Sequence, residues 1–163
     1  MIGGSPKTIR STAGILDSDF GKITAIASEH DQAAGTQRGP NTIFVFEFAG
    51  LRVCHFGDFG QAALRPEQRQ AIGEIDSLFL PVGGMATIDG ATAAALMRRL
   101  RPRWTVPMHY RTPAISFLEP IDAFLEAAAG TTIQPVSSPA FNLADWPDTA
   151  GSVLIVPAPP APA

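Results

Sequence analysis

The sequence contains little charge, one cysteine and no long apolar run, and each scarcity excludes a class of protein. Charged residues make up 17% of the 163 residues, and a net charge of -3 gives no basis for binding nucleic acid or an anionic membrane. The single cysteine, Cys54, cannot form an intrachain disulfide and fits a small buried hydrophobic residue. No run reaches the roughly 18 apolar residues of a membrane-spanning helix. These features predict a cytoplasmic protein that binds neither nucleic acid nor membrane.

The sequence contains a proportion of apolar residues typical of globular proteins, and glycine and proline are frequent. Apolar residues make up 45%, while 15 glycines and 15 prolines divide the chain into short elements. The length predicts one domain, over residues 1–155, stabilised by a single core. A Pro/Ala-rich tail is predicted over residues 156–163, because its prolines cannot donate hydrogen bonds to a sheet.

The residue pattern predicts strands first and then strands alternating with helices. Strands are predicted over residues 8–12, 22–28, 42–48, 51–56, 77–82, 104–107, 131–136 and 152–156. Helices are predicted over residues 65–75, 90–100 and 120–129, and Asp89 or Thr87 is expected to cap the second. This order predicts an α/β (α+β) fold in which a mixed sheet carries helices on one face.

Three side chains that can bind metal follow predicted strands at the point where each strand ends. His30 follows the strand over residues 22–28, Asp58 follows the strand over residues 51–56, and His109 follows the strand over residues 104–107. Strand ends gather at sheet edges, so these side chains can converge. Two imidazoles and a carboxylate suit Zn²⁺, and also Mn²⁺ or Fe²⁺. Helix capping or hydrogen bonding in the core is the alternative role.

Five short segments surround these residues in a fixed order along the chain. They are Ser-Glu-His-Asp at 28–31, Arg-Gly-Pro-Asn-Thr at 38–42, His-Phe-Gly-Asp-Phe-Gly at 55–60, Pro-Val-Gly-Gly at 81–84 and Pro-Met-His-Tyr at 107–110. The series resembles the metallo-β-lactamase superfamily, in particular the branch of metal-dependent hydrolases similar to ascorbate-6-phosphate lactonases. The resemblance covers about residues 20–127.

The resemblance implies a site with two metal ions and assigns a role to each candidate residue. His30 would bind one metal, His109 the other, and Asp58 would bridge both and hold the attacking hydroxide. Such metals lower the pKa of bound water, which implies hydrolysis of a small ester, lactone or phosphodiester. Arg38 and Tyr110 could contact this substrate, and the alternative for both is a solvated surface position.

The sequence departs from the superfamily in one segment, His-x-His-x-Asp-His, which supplies most ligands of both metals. It should precede His30 and is absent, and the chain has only three histidines. The resemblance therefore implies half of an αββα sandwich that binds metal partially or not at all by itself. Hydrolysis is expected if an upstream half or partner completes the site, and none is expected from the isolated chain.

A sheet covered by helices on one face leaves its other apolar face to be covered by something else. Several hundred Å² of exposed apolar surface represent on the order of 10 kcal/mol of unrealised burial, at roughly 25 cal/mol per Å². The expected cover is either the missing N-terminal half or a second copy in a homodimer. The homodimer gives the alternative function, a catalytically inactive structural or binding protein.

Two further polar residues lie beside the candidate ligands. His55 is predicted to be a buried, hydrogen-bonded histidine that orients the turn carrying Asp58. Asp31 follows His30, and a loop-forming role is favoured over contact with a metal ligand.

Overall fold

The structure is a computed structural model that describes residues 13–19, 21–143 and 151–159. Its strands are β1 (Gly14–Ser18), β2 (Gly21–Glu29), β3 (Pro40–Phe48), β4 (Leu51–His55), β5 (Ser77–Pro81), β6 (Trp104–Met108), β7 (Thr132–Val136) and β8 (Val153–Pro157). Its helices are α1 (Pro66–Ile72), α2 (Gly90–Leu100) and α3 (Asp122–Ala127). The strand predicted over residues 8–12 lies outside the described residues.

The eight strands form one mixed sheet in the order β1-β2-β3-β4-β5-β6-β8-β7. β1 to β4 pair antiparallel, whereas β4, β5, β6, β8 and β7 pair parallel. Because β2 and β4 are both antiparallel to β3, they run in the same direction as each other and as β5 and β6. The carboxyl ends of these four strands therefore lie at one edge of the sheet, the carboxyl edge.

The three helices pack on one face of the sheet, as predicted. Side chains alternate between the two faces of a strand, and the apolar side chains on one face of β3, β4 and β5 are fully buried. That face and the helices share one hydrophobic cluster, which includes Ile43, Val45, Cys54, Leu78, Leu80, Ile72, Met97 and Phe124. The described chain therefore has its main core between the sheet and the helices.

The opposite face of the sheet is covered at one end and accessible at the other. Over β6 and β8, Trp104 and Ile155 are buried in a second cluster that also contains Phe141 and Leu143. At the other end, five apolar side chains remain partly or largely exposed: Leu16, Ile23, Phe44, Phe46 and Phe48. The register of β1, β2 and β3 brings these five residues to one surface, which we call the open face.

Local backbone chemistry explains where the elements differ from their predicted limits. α1 ends at Ile72 instead of continuing to residue 75, because Gly73 adopts a φ of 63°. The Asp89 side chain accepts a hydrogen bond from the Thr92 N–H at 2.8 Å, so Asp89 and not Thr87 caps α2. β8 continues to Pro157, so it overlaps the start of the predicted tail.

β1 was not among the predicted strands, and its residues show why. Ile15 and Leu16 are adjacent in Gly14–Ser18, so the segment lacks the alternation of apolar and polar residues that indicates a strand, and none of its five residues is buried. Its position at the edge of the sheet comes from pairing with β2. Within the described residues, no helix is both long and apolar enough to cross a membrane.

Replacement of Leu78 tests the central strand of this sheet. Leu78 is fully buried between β5 and the helices, so Leu78→Ala should lower the free energy of unfolding by about 2–5 kcal/mol. The control is Ile15→Ala on β1, where a side chain 68% exposed should contribute less than about 0.5 kcal/mol. Urea denaturation measures both values. Equal effects would contradict the assigned core.

Candidate functional site

The three predicted metal ligands follow strands that run in the same direction. His30 follows β2, Asp58 lies in the loop after β4, and His109 follows β6 directly, all at the carboxyl edge. The Asp58 and His109 side chains are close, with Oδ1 and Nε2 separated by 3.8 Å. The Asp58 side chain is 54% exposed and His109 is 28% exposed, so the pair is accessible from solvent.

The loop carrying His30 is packed directly against the loop carrying Asp58. The Gly60 N–H donates to the Glu29 carbonyl at 2.9 Å, and a Cβ at Gly60 would overlap the backbone of His30. Glycine is therefore required at this contact, two residues after Asp58. The Nε2 atom of His30 is buried and has no hydrogen-bond partner among the described residues.

The Gly57-Asp58 turn is held by two side chains. His55 Nδ1 accepts a hydrogen bond from the Gly57 N–H at 3.0 Å, and Asn41 Oδ1 accepts one from the Asp58 N–H at 3.0 Å. His55 also stacks on Phe79, with ring centroids 5.9 Å apart. The predicted role of His55 is confirmed in that it is hydrogen-bonded and supports the turn, although its side chain is only partly buried.

His109 adopts a backbone conformation that is uncommon for a residue with a side chain. Its φ is 54°, in the left-handed region, and a Cβ at Gly83 would overlap its carbonyl oxygen. The Val82 N–H donates to the Met108 carbonyl at 3.1 Å and extends the contact between these two loops. The Nδ1 atom of His109 is buried without a hydrogen-bond partner in the described part of the chain.

The donor chemistry at this edge fits a metal ion, but the ligand set is partial. A buried imidazole nitrogen without a partner is costly, and a metal is one group that satisfies it. The Nε2 atom of His30 is such a nitrogen. In His109 the unpartnered nitrogen is Nδ1, whereas Nε2, on the other side of the ring, faces the Asp58 carboxylate. Across residues 13–19, 21–143 and 151–159, no three His, Cys, Asp or Glu side chains are grouped so that they could hold a metal.

Asp31 organises the loop between β2 and β3. Its carboxylate accepts hydrogen bonds from the backbone N–H groups of Ala33, Gly35, Gln37 and Arg38, at 2.7–3.1 Å. Burial tends to raise the pKa of Asp31, but these donors outweigh it and hold the pKa below its ordinary value. The loop-forming role predicted for Asp31 is confirmed.

The two predicted substrate contacts have different surroundings. Arg38 is exposed, and its Nη2 donates to the Met85 carbonyl at 3.2 Å, so the guanidinium lies beside the loop that packs on His109. Tyr110 is partly buried against the main core, and burial raises the pKa of its hydroxyl. A role in substrate binding stays a prediction for both residues.

Comparison with known families identifies the chain. The family model described as beta-lactamase superfamily domain matches residues 2–109, which is well over half of the sequence. The chain belongs to this superfamily. The match includes all three candidate ligands, since His109 is the last matched residue. The specific lactonase-like branch within the superfamily stays a prediction.

Individual superfamily members are similar over part of their length. The UPF0173 metal-dependent hydrolase of Thermococcus onnurineus is 32% identical over 106 residues, covering 64% of this chain and 47% of that protein. The corresponding protein of Deinococcus radiodurans is 35% identical, covering 63% of this chain and 46% of the relative. The chain therefore spans about half the length of the curated relatives it matches.

A solved structure from the superfamily supports the fold. The Thermotoga maritima protein assigned to the Zn-dependent hydrolases of the metallo-β-lactamase superfamily superimposes with a TM-score of 0.68 at 30% identity. The superposition covers 90% of this chain and 70% of that protein. It confirms the predicted fold class, a mixed sheet with helices of the metallo-β-lactamase type.

Sequence patterns assign no role to Asn41, although its side chain supports the Asp58 turn. The available signal was its position near the start of β3, a strand otherwise rich in Ile, Phe and Val, because asparagine is depleted in strands. Neither Gly60 nor Gly83 has a positive φ, and both are points where two backbones approach closely.

The half-buried His55 predicts a pH dependence of stability. Burial lowers the pKa of His55, and the nearby Asp58 carboxylate offsets only part of this shift. The unfolded chain then binds a proton at higher pH than the folded chain, so the free energy of unfolding should fall as pH drops below about 6.5.

The pH dependence of the original chain is compared with that of His55→Asn, a variant that retains an acceptor for the Gly57 N–H but does not titrate. Urea denaturation between pH 5 and pH 7.5 should give a shallower pH dependence for this variant. Identical pH dependences for the two proteins would show that His55 contributes nothing.

Proposed function

We propose that the chain contributes to a metal-dependent hydrolase, with His30, Asp58 and His109 as its metal ligands. The observation that carries the proposal is the 3.8 Å approach of Asp58 Oδ1 to His109 Nε2, at the same edge of the sheet where His30 Nε2 is buried without a partner among the described residues. The printed names of the relatives, metal-dependent hydrolase, support the same chemistry. The donor types favour Zn²⁺, with Mn²⁺ or Fe²⁺ as alternatives, and the superfamily resemblance implies two ions.

The proposed chemistry depends on how the chain holds Asp58. When bound, the metal would lower the pKa of a water molecule and polarise the substrate oxygen. The exposed Asp58 carboxylate can orient that water and accept its proton at Oδ1. Its turn is fixed by Asn41 and His55, so little movement is needed when the water binds.

The proposed substrate is a small ester, lactone or phosphodiester with an oxygen that carries negative charge. Support comes from Arg38, because its contact with the Met85 carbonyl places a cationic group on the loop that packs against His109. The Tyr110 hydroxyl follows His109 and could donate a hydrogen bond to the same substrate. These two residues are the proposed substrate contacts.

The proposed partner is a polypeptide that covers the open face and supplies the remaining metal ligands. A groove of about 530 Å³ runs along Phe44 and Phe46 and reaches Asp58 at the carboxyl edge. A second groove of about 340 Å³ shares Phe46 and continues to Phe48. Relatives of about twice the length contain further chain that could supply both the cover and the ligands.

A catalytically inactive homodimer is the second candidate. It is favoured by the partial ligand set within the described residues together with the apolar open face. A second copy of the chain would cover the same surface by pairing the two sheets face to face. This candidate requires no metal.

Zinc binding tests the proposed ligands. The full chain should bind Zn²⁺ when measured by calorimetry and elemental analysis, and His109→Ala should lose at least about tenfold in affinity. Glu74→Gln is the matched control, because it removes an exposed carboxylate at the opposite edge of the sheet and leaves the proposed ligands and the Asp58 turn in place. Its affinity should stay within about twofold of the original.

The outcomes separate the two candidates. Zinc binding weakened by His109→Ala and retained by Glu74→Gln supports the hydrolase proposal, and hydrolysis is then assayed with the completing half added. Absence of zinc binding, or equal losses in both variants, contradicts it.

Two measurements test whether the open face is exposed in a monomer or covered in a dimer. They are the molar mass of the chain in solution and its binding of a fluorescent dye that recognises apolar surface. We expect a 17.2 kDa monomer that binds the dye, and Phe46→Glu should reduce dye fluorescence. The control Ile133→Glu changes an exposed apolar residue of β7 instead, and it should leave dye binding at the open face intact.

A dimer of about 34 kDa, two chains of 17.2 kDa, that only Phe46→Glu dissociates would support the homodimer. A monomer that binds no dye would contradict both.

A further inference from the structure

We propose that Asn41 is a positioning residue that fixes the Asp58 carboxylate relative to His30 and His109. Its side chain makes three hydrogen bonds: Nδ2 donates to Ser28 Oγ at 2.8 Å and to the Phe56 carbonyl at 2.9 Å, and Oδ1 accepts from the Asp58 N–H at 3.0 Å. The inference rests on the proposed function, because it assigns a residue that supports the same site.

The need for Asn41 arises where β4 separates from β3. The last paired residues of these strands are Phe44 and His55, so beyond them the sheet no longer supplies partners from β3. Without a side chain to replace the ladder, the Phe56 carbonyl and the Asp58 N–H would lack a hydrogen-bond partner on the side that faces β3. One N–H of Asn41 Nδ2 and the Oδ1 acceptor satisfy both, as a peptide group would, and the second N–H of Nδ2 donates to Ser28 Oγ.

Few side chains can replace this amide. Alanine makes neither bond, a single serine hydroxyl is too short to make both, and an aspartate accepts but cannot donate when ionised. The space is also limited, because a Cβ at Gly57 would lie 2.5 Å from Asn41 Oδ1. Gly57 has a φ of 58°, so the turn requires glycine at this point for its conformation as well.

The bond to Ser28 extends the same contact toward His30. Asn41 is directly opposite Ser28 in the register of β2 and β3, and Ser28 precedes His30 by two residues. One side chain therefore links the strand leading to His30 with the turn carrying Asp58. Because the Asp58 side chain is largely exposed, packing around the carboxylate does little to hold it. Its position relative to His109 then depends on the backbone of this turn.

The test compares Asn41→Ala with Ser28→Ala in two measurements. The first is hydrogen exchange of the Asp58 amide by NMR in the metal-free chain, with the Val45 amide of β3 as the internal reference. Asn41→Ala should accelerate exchange of the Asp58 amide about tenfold and leave Val45 unchanged. Ser28→Ala removes only the acceptor of one Asn41 Nδ2 hydrogen bond and should leave the exchange rate of the Asp58 amide within about twofold.

The second measurement is Zn²⁺ affinity by calorimetry. Asn41→Ala should weaken it by about 10–100-fold, whereas Ser28→Ala should weaken it by no more than about twofold. If Asn41→Ala does not fold, Asn41→Ser keeps a polar side chain at this edge and is expected to show the same two losses.

The results distinguish failure of this inference from failure of the proposed function. If the original chain binds no zinc, the proposed ligands are wrong, and the exchange measurement still tests whether Asn41 holds the Asp58 turn. Unchanged exchange of the Asp58 amide overturns the inference. Accelerated exchange with unchanged zinc affinity also overturns it, because Asn41 would then support the fold without positioning the ligand.

Discussion

Close backbone packing between loops at the carboxyl edge is the constraint on which the candidate site depends. Gly60 contacts the backbone of His30, and Gly83 contacts the backbone of His109, at separations that exclude any larger residue. The loop bearing Asp58 joins this arrangement through Gly57 and Asn41. These contacts are between main-chain atoms, so they fix the Cα and Cβ positions of the residues concerned. Few further contacts are then needed to orient the side-chain nitrogens and oxygens.

The main features of the fold could be predicted from the sequence because they depend on residue pattern. The strongly apolar β3 and β5, and the helix starting at Gly90, follow directly from burial and capping. The position of His30, Asp58 and His109 at one edge also follows, since strands that run in the same direction end together. Within the described residues, only the Asp58 and His109 side chains of this set are close to each other. β1 was missed because its pairing with β2 leaves no sign in its own exposed side chains.

The finer arrangement of the site could not be predicted from pattern. The 3.8 Å separation of Asp58 from His109 depends on how closely two glycine-containing loops approach. The role of Asn41 depends on where β4 separates from β3, which no periodicity encodes. Membership of the superfamily agrees with the donor chemistry, and the ligand set within the described residues is partial.

The central claim is that this edge supplies imidazole and carboxylate ligands to a metal ion. Zinc K-edge X-ray absorption of the zinc-loaded chain examines those ligands directly. We predict a first shell of nitrogen and oxygen at about 2.0–2.1 Å with the outer-shell scattering of imidazole. A sulfur shell at about 2.3 Å, or a first shell without imidazole scattering, would contradict the claim.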